Sequence, residues 1–338
     1  MPNGINCEHR VKKLTDSGIL QKTAMNHKRF QFILAAIWLW VAIGIQAQVL
    51  DWGKGDVLHE GIVHLAIDRK IKDANGKDLL LKGNILRIDL KTPGLRFTAT
   101  GRDSDWGKPM PDHVPKEGQQ PFLIRTRRLA TPAFLKECRK PVEQGGRGLD
   151  MAVAFNSCPW LPWEWPYRHR YAEPTGVNIS DGVVISDNTR ATVHFVVWKN
   201  GEIGLLHEIP PEKFPEIWLA ASGFAIILRD GKATPACADQ ARHPRTAYGL
   251  SADHQYLYVL TVDGRQPKWS DGATYDDLNA IFLEAGAYEA INLDGGGSTT
   301  LCYWDQSRNK PVVLSHATSQ NGKCRPVAMS IGIYFVAE

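Results

Sequence analysis

Two short runs near the C-terminus constrain the fold more than any other part of the chain. "HQYLYVLTVDGR" reads as a strand, about 256–262, that ends at Asp263-Gly264. "EAINLD" reads as a second strand that ends at Asp294, and Gly295, Gly296 and Gly297 follow it. Between them, "ATYDDLNAIFLEAGAY" has the period of an amphipathic helix, with Leu278, Ile281, Phe282 and Ala285 on one stripe. Thr274 with Asp277 three residues later fits a capping box, and Gly286 is a stop signal. Strand, helix and strand in this order predict a βαβ unit with parallel strands and a right-handed crossover. Parallel strands finish at one edge of a sheet, which is where open sheets bind ligands. Neighbouring strands lie about 4.8 Å apart, so the carboxyls of Asp263 and Asp294 are expected within about 5 to 10 Å of each other.

The rest of the chain is strand-rich. "GIVHLAID", "TGVNISDGVVIS", "ATVHFVVWKNGEIGLL" and "FAIILRDGKA" read as strands, and "KNGE" and "RDGK" as hairpin turns. "NILRIDLKTPGLRFTAT" reads as two strands about a Pro-Gly turn, and "LDMAVAFNS" as a buried strand ending at Asn156. "LATPAFLKECRK" is a short helix with Thr131 as N-cap and Pro132 in the first turn. A Gly- and Pro-rich loop covers 101–121, and a Trp/Pro-rich loop covers 158–174. Together these predict an α+β fold: a mixed β-sheet core with flanking helices, including the C-terminal βαβ unit.

The N-terminus carries a targeting pattern. Basic residues His27, Lys28 and Arg29 precede an uncharged apolar run from Phe32 to Ile45, closed by Ala47. The run is shorter than the roughly 20 residues a spanning helix needs. This is the order of a secretory signal peptide, so the protein is expected to be secreted or periplasmic. The mature start falls near Gln48, with no stable membrane span after signal removal. Residues 1–47 hold the whole charge excess, and the remainder has 34 basic and 34 acidic residues. That balance offers no electrostatic case for nucleic acid. Five cysteines follow the leader, and Cys302 with Cys324 is the expected disulfide.

The chemistry clusters around the two aspartates. "DGGGST" offers backbone N–H groups with no side chains in the way, and Ser298 and Thr299 add hydroxyls. "RHPRTAYG" packs Arg242, His243 and Arg245 together, and Arg265 follows Asp263 directly. Arginine suits forked recognition of phosphate or carboxylate. Salt bridges are the plainer use of these arginines, most of all for Arg242. Two carboxylates with arginines nearby suit glycoside chemistry, one as nucleophile or water-activating base and the other as proton donor. The tryptophans of "CPWLPWEWPY" serve either as core or as a sugar-stacking platform made of Trp160, Trp163 and Trp165. No cofactor is expected, and no metal ligand set is assigned.

"HPRTAYGLSADHQYLYVLTVDGR" followed by "SDGATYDDLNAIFLEAGAYEAINLDGGGSTTL" resembles the phosphodiester glycosidase family. That family includes exported bacterial proteins and the lysosomal N-acetylglucosamine-1-phosphodiester alpha-N-acetylglucosaminidase. The resemblance is strong over about 240–301 and softer over about 85–338. It implies hydrolysis of a sugar from a sugar-1-phosphodiester, releasing a phosphomonoester, with a small molecule or glycan as substrate. With the signal pattern, it divides the chain into a leader at 1–47, a strand and loop segment at 48–84, and the family domain at 85–338. By motif, Arg245, Asp263, Gly264, Arg265, Ser270, Asn292, Asp294, Gly295, Gly296, Gly297, Ser298 and Thr299 match family positions, and Asn156 matches an upstream asparagine. Asp294 and Asp263 are the expected catalytic pair. Arg245 and Arg265, with His243, would hold phosphate, and Asn156, Asn292 and the glycine amides would orient sugar hydroxyls. "SCPW" after Asn156 departs from the family pattern and points to a reshaped substrate wall.

Overall fold

The computed structural model describes residues 49–73, 75–164, 168–318 and 322–337. The leader expected at 1–47 lies outside them. The described chain is mostly β-sheet: one sheet of eight strands, two of five and one of three. The eight-stranded sheet runs in the order Asp56–His59, Ile62–Lys72, Asp78–Asp89, Tyr256–Val262, Arg245–Leu250, Glu289–Asn292, Ala225–Arg229 and Lys232–Ala233.

The helix and both expected strands are present, but the strands are not neighbours. Arg245–Leu250 lies between Tyr256–Val262 and Glu289–Asn292, antiparallel to both. The other pairings of this sheet are antiparallel too. A pure antiparallel sheet therefore replaces the mixed sheet and the simple βαβ unit. Periodicity finds local elements, but it cannot see a strand inserted from elsewhere in the chain. "RTAYGL" carries only weak strand signals, yet all six of its residues are buried between two partners.

Why these strands are so uniformly apolar follows from their two covered faces. Tyr248, Leu250, Leu257, Val259 and Ile291 point into a core shared with both five-stranded sheets. Their alternates Ala247, Tyr258, Leu260, Val262 and Ala290 meet the helix Tyr275–Ala285 through Leu278, Ile281, Phe282 and Ala285. Both faces being buried removes the usual polar alternation. Each large side chain so buried contributes about 1.5–3 kcal/mol, and Phe282→Ala is expected to cost about 3–5 kcal/mol. The helix has the predicted capping box of Thr274 and Asp277, and Gly286 ends it with φ 99°. The other helix, Thr131–Arg139, begins one residue earlier than its sequence suggests. Ala130 is its N-cap, and the Thr131 hydroxyl instead accepts from Ser330 Oγ at 3.0 Å. Its Phe134, Leu135 and Cys138 pack on Met151 and Ala154.

Residues before 85 belong to the same sheet as the rest, because the strand Asp78–Asp89 runs through the expected 84/85 boundary. Cys302 and Cys324 are both free thiols, so the expected disulfide is absent. Arg245 is in register with Val262, and Ala247 with Asn292. The start of one strand and the ends of its two neighbours thus bring Arg245, Asp263 and Asp294 to one edge.

Candidate active site

A pocket of about 280 Å³ opens at this edge. His243, Pro244, Arg245, Arg265, Leu293, Asp294, Gly295 and Gly296 line it, together with Trp163, Phe224 and Tyr275. Asp263 does not. Of the two expected carboxylates, the pocket holds one.

Asp294 is 6% exposed. Burial raises its carboxyl to about 7, against the opposing pull of Ser298, Arg325, the Gly295 amide and Trp160. Its Oδ2, the Ser298 hydroxyl and the Trp160 indole N–H are each buried without a hydrogen bond of good geometry. These groups are near enough to favour the charged form but are not closed into a network. Asn292 Oδ1, Thr299 Oγ1 and Thr300 Oγ1 are orphaned in the same way. Native interiors rarely leave such groups unpaired, so a concentration of them within 292–300 calls for a ligand or for functional strain.

The cations are the second element. The Arg245 guanidinium donates to Ala241 O at 2.8 Å and Ala273 O at 3.2 Å, and it lies over the Tyr275 ring at 4.4 Å. Arg265 Nη2 donates to His243 Nδ1 at 2.9 Å. Arginine cannot accept, so His243 must be unprotonated at Nδ1 and carry its proton on Nε2. Burial lowers the His243 pKa, with Arg265 and Arg245 adding to the effect, so the ring stays neutral. Among the described residues, no carboxylate lies within ion-pair distance of Arg245 or Arg265. Arg242 differs: it pairs with Asp277 at 2.7 Å, the salt bridge expected for it. The pocket therefore carries two positive charges with no fixed counter-ion.

The glycines also meet a packing demand. Gly296 has φ +60° and its N–H already donates to Pro244 O at 2.8 Å. A Cβ on Gly297 would stand 2.3 Å from the Arg325 guanidinium. The run also lets the Pro244 backbone and the Arg325 guanidinium approach the chain beside Asp294. Ser298 and Thr299 are buried beneath the pocket, and neither lines it.

Both asparagines are buried. Asn156 is fully buried; its Nδ2 donates to Asp294 O at 2.7 Å, while its Oδ1 accepts from Thr246 Oγ1 at 2.8 Å and Thr300 N at 2.9 Å. It ties the Asp294 loop to two strands and has no reach to a sugar. Asn292 is 1% exposed and donates to Leu293 O at 3.0 Å. Ser270 donates to Asp263 O at 2.6 Å and accepts from Lys82 N at 3.2 Å, closing the turn after the Asp263 strand. Asp263 itself accepts from Trp269 Nε1 at 3.0 Å and from His316 N at 2.8 Å. Burial pushes its carboxyl up, and those two donors oppose the rise.

Three lining or neighbouring residues carried no site signal in sequence, Phe224, Tyr275 and Arg325, whereas Trp163 of the expected stacking platform does line the pocket. Tyr275 could have been suspected as the first helical residue after a cap. Arg325 sits in a segment with no periodic pattern, and only the fold sets it beside Gly297 and Asp294. Trp165 of the expected platform lies outside the described residues. Trp160 is buried at 2% exposure, under the Arg128 guanidinium at 4.3 Å. Among the described residues, no group of three or more His, Cys, Asp or Glu could hold a metal ion. No described helix is long and apolar enough to cross a membrane.

Comparison with known proteins places the fold. The structure is similar to the catalytic domain of zebrafish N-acetylglucosamine-1-phosphodiester alpha-N-acetylglucosaminidase, a form auto-inhibited by its pro-peptide. The TM-score is 0.57 at 17% identity, over 83% of this chain and 87% of that one. A hypothetical protein from Synechocystis is similar with a TM-score of 0.50 at 13% identity, over 82% of this chain and 62% of that one. At these identities the likeness is one of fold. In sequence, the SPbeta prophage-derived uncharacterized protein YomE of Bacillus subtilis (strain 168) is 31% identical over 163 residues. That stretch is 44% of this chain but only 23% of the relative's length. Residues 166–334 match the phosphodiester glycosidase family, half of the chain, and the chain belongs to that family.

Proposed function

We propose that the protein is an exported hydrolase that cleaves a sugar from a sugar-1-phosphodiester. The observation that supports this most is one pocket holding both an incompletely paired carboxyl near neutral pKa and two guanidiniums without a counter-ion. In this reading Asp294, ionised, takes a proton from water as the water oxygen attacks the anomeric carbon. The bond from that carbon to the phosphate oxygen breaks, and its electron pair leaves with the phosphate. The resulting phosphomonoester needs no proton to depart, and Arg245 and Arg265 neutralise its added charge. His243 Nε2–H supplies a further donor. The same placement lets Asp294 act as a nucleophile, with water then releasing the sugar. Asp263 shapes the turn that presents Arg265 rather than sharing the chemistry, a revision of the paired-aspartate expectation.

The test is hydrolysis of nitrophenyl sugar-phosphodiesters. Wild type is expected to turn over at least one of a panel, and Asp294→Asn to bind the sugar without hydrolysing it. Binding with no turnover by wild type on the whole panel would instead favour a non-catalytic carbohydrate-binding or envelope-assembly protein. A plain glycosidase without phosphate preference predicts that Arg245→Ala spares neutral aryl glycosides and phosphodiesters alike.

A further inference from the structure

We propose that Trp163 and Phe224 form a subsite for the leaving half of the substrate, and that they select a leaving group with a flat ring face, a pyranose or an aryl ring. This rests on the hydrolase reading above. Among the described residues only four aromatic side chains are exposed: Trp163 at 47%, Phe224 at 59%, Trp269 and Tyr288. Two of the four line this one pocket. A scattered exposed aromatic needs no explanation, but a pair on the rim of a polar pocket does.

The order of groups in depth says which part of the substrate the pair meets. Asp294 and Arg245 are 6% and 7% exposed and form the floor, whereas Trp163 and Phe224 stand at the mouth beside the exposed Arg265. In a linear substrate of sugar, phosphate and leaving half, the reacting carbon must reach Asp294 and the phosphate must reach the guanidiniums. The third part then lies outermost. A pocket of about 280 Å³ is at the small end of ligand sites, which run from roughly 300 Å³ upward. It accommodates the first two parts and leaves the third against the rim.

The Trp163 ring and the Phe224 backbone are held in place. The Trp163 ring meets Trp160 edge-on with centroids 5.2 Å apart, and the Arg325 guanidinium lies 5.0 Å from it. The Phe224 N–H donates to Asn292 O at 2.9 Å, which ties its backbone to the strand that delivers Asp294. Rigid aromatic faces bind flat rings at low conformational cost, while a short alkyl group offers them little area.

The test uses three phosphodiesters of one sugar that differ only in the leaving half: methyl, phenyl and pyranosyl. Wild type is expected to favour the phenyl or the pyranosyl ester over the methyl ester by roughly tenfold in kcat/KM. The better of the two ring esters identifies the natural class. Trp163→Ala and Phe224→Ala should each pull that ratio toward one, and Trp163→Phe should keep most of it. The ratio is internal to each variant, so a partly unfolded preparation does not change it. Equal kcat/KM for all three esters in wild type would overturn the inference, as would alanine variants that keep the wild-type ratio. If wild type hydrolyses none of the three, the hydrolase reading fails and this inference falls with it.

Discussion

Asp263 and Asp294 look alike in sequence. Each ends an apolar strand, each precedes glycine, and the two strands run the same way to the same edge of one sheet. Their surroundings separate them. Asp263 has the Trp269 indole and the His316 amide as donors, and it stands outside the pocket. Asp294 lines the pocket with one oxygen orphaned, and it holds its proton up to about pH 7. A strand-end aspartate is therefore a position, and its chemistry comes from what packs around it. Burial raises both carboxyls, and at Asp294 desolvation outweighs its nearby donors enough to bring it into the range useful for proton transfer.

The comparison can be broken most directly at Asp294. Asp294→Asn should lower kcat on a phosphodiester roughly 10³-fold, read by steady-state kinetics. It should also raise stability in alkaline solution. The native carboxyl titrates near 7, far above an unfolded aspartate at 3.8, so the native state binds the extra proton between those values. That contribution to stability is full below about pH 4 and is lost as pH rises through 7. Asn cannot ionise, so at pH 8 the variant should unfold at higher denaturant than wild type, by on the order of 2–4 kcal/mol. At pH 4 the two should nearly coincide.

Arg245→Lys comes next. Lysine cannot reproduce the forked contact with two carbonyls, the stacking on Tyr275 and a third contact to phosphate. A fall of about 10- to 100-fold in kcat/KM for phosphodiesters is expected. Neutral aryl glycosides should lose less, and an equal loss on both would remove the phosphate role. The pH profile has a smaller effect but sharpens the assignment. If Asp294 acts ionised, kcat/KM rises about tenfold per unit below pH 7 and levels off above it. A profile that falls above pH 7 would assign Asp294 as the acid instead.

Asp263→Asn should have the smallest effect on rate, within about threefold, since the residue does not meet the pocket. Its cost is structural: an amide sets an NH₂ against one of two N–H donors, a loss of about 1–3 kcal/mol measured by denaturation. Loss of turnover with the fold intact would return Asp263 to the chemistry and restore the paired-carboxylate mechanism.

Much of this was legible without coordinates. The helix Tyr275–Ala285 with its cap and stop, the two Asp-Gly strand ends, and the hairpins at "KNGE" and "RDGK" all follow from neighbours a few residues apart. The family motifs likewise named Asp294, Arg245 and Arg265, and the pocket brings these three together. Asn156 shows where such legibility stops. An asparagine at a strand end looks like a ligand-binding residue, but its amide is fully engaged by Asp294, Thr246 and Thr300, two of them 138 and 144 residues away.

By itself the sequence determined the elements and the motif residues, because helix periodicity, capping and turn chemistry are local properties of the chain. Only the tertiary structure decided that Arg245–Leu250 slides between two strands read as neighbours, which of two like aspartates faces the pocket, and that Arg325 lies beside it. Those outcomes depend on burial and on partners far away in the chain. Desolvation, which lifts Asp294 to about 7, exists only once the surrounding sheets have closed over it.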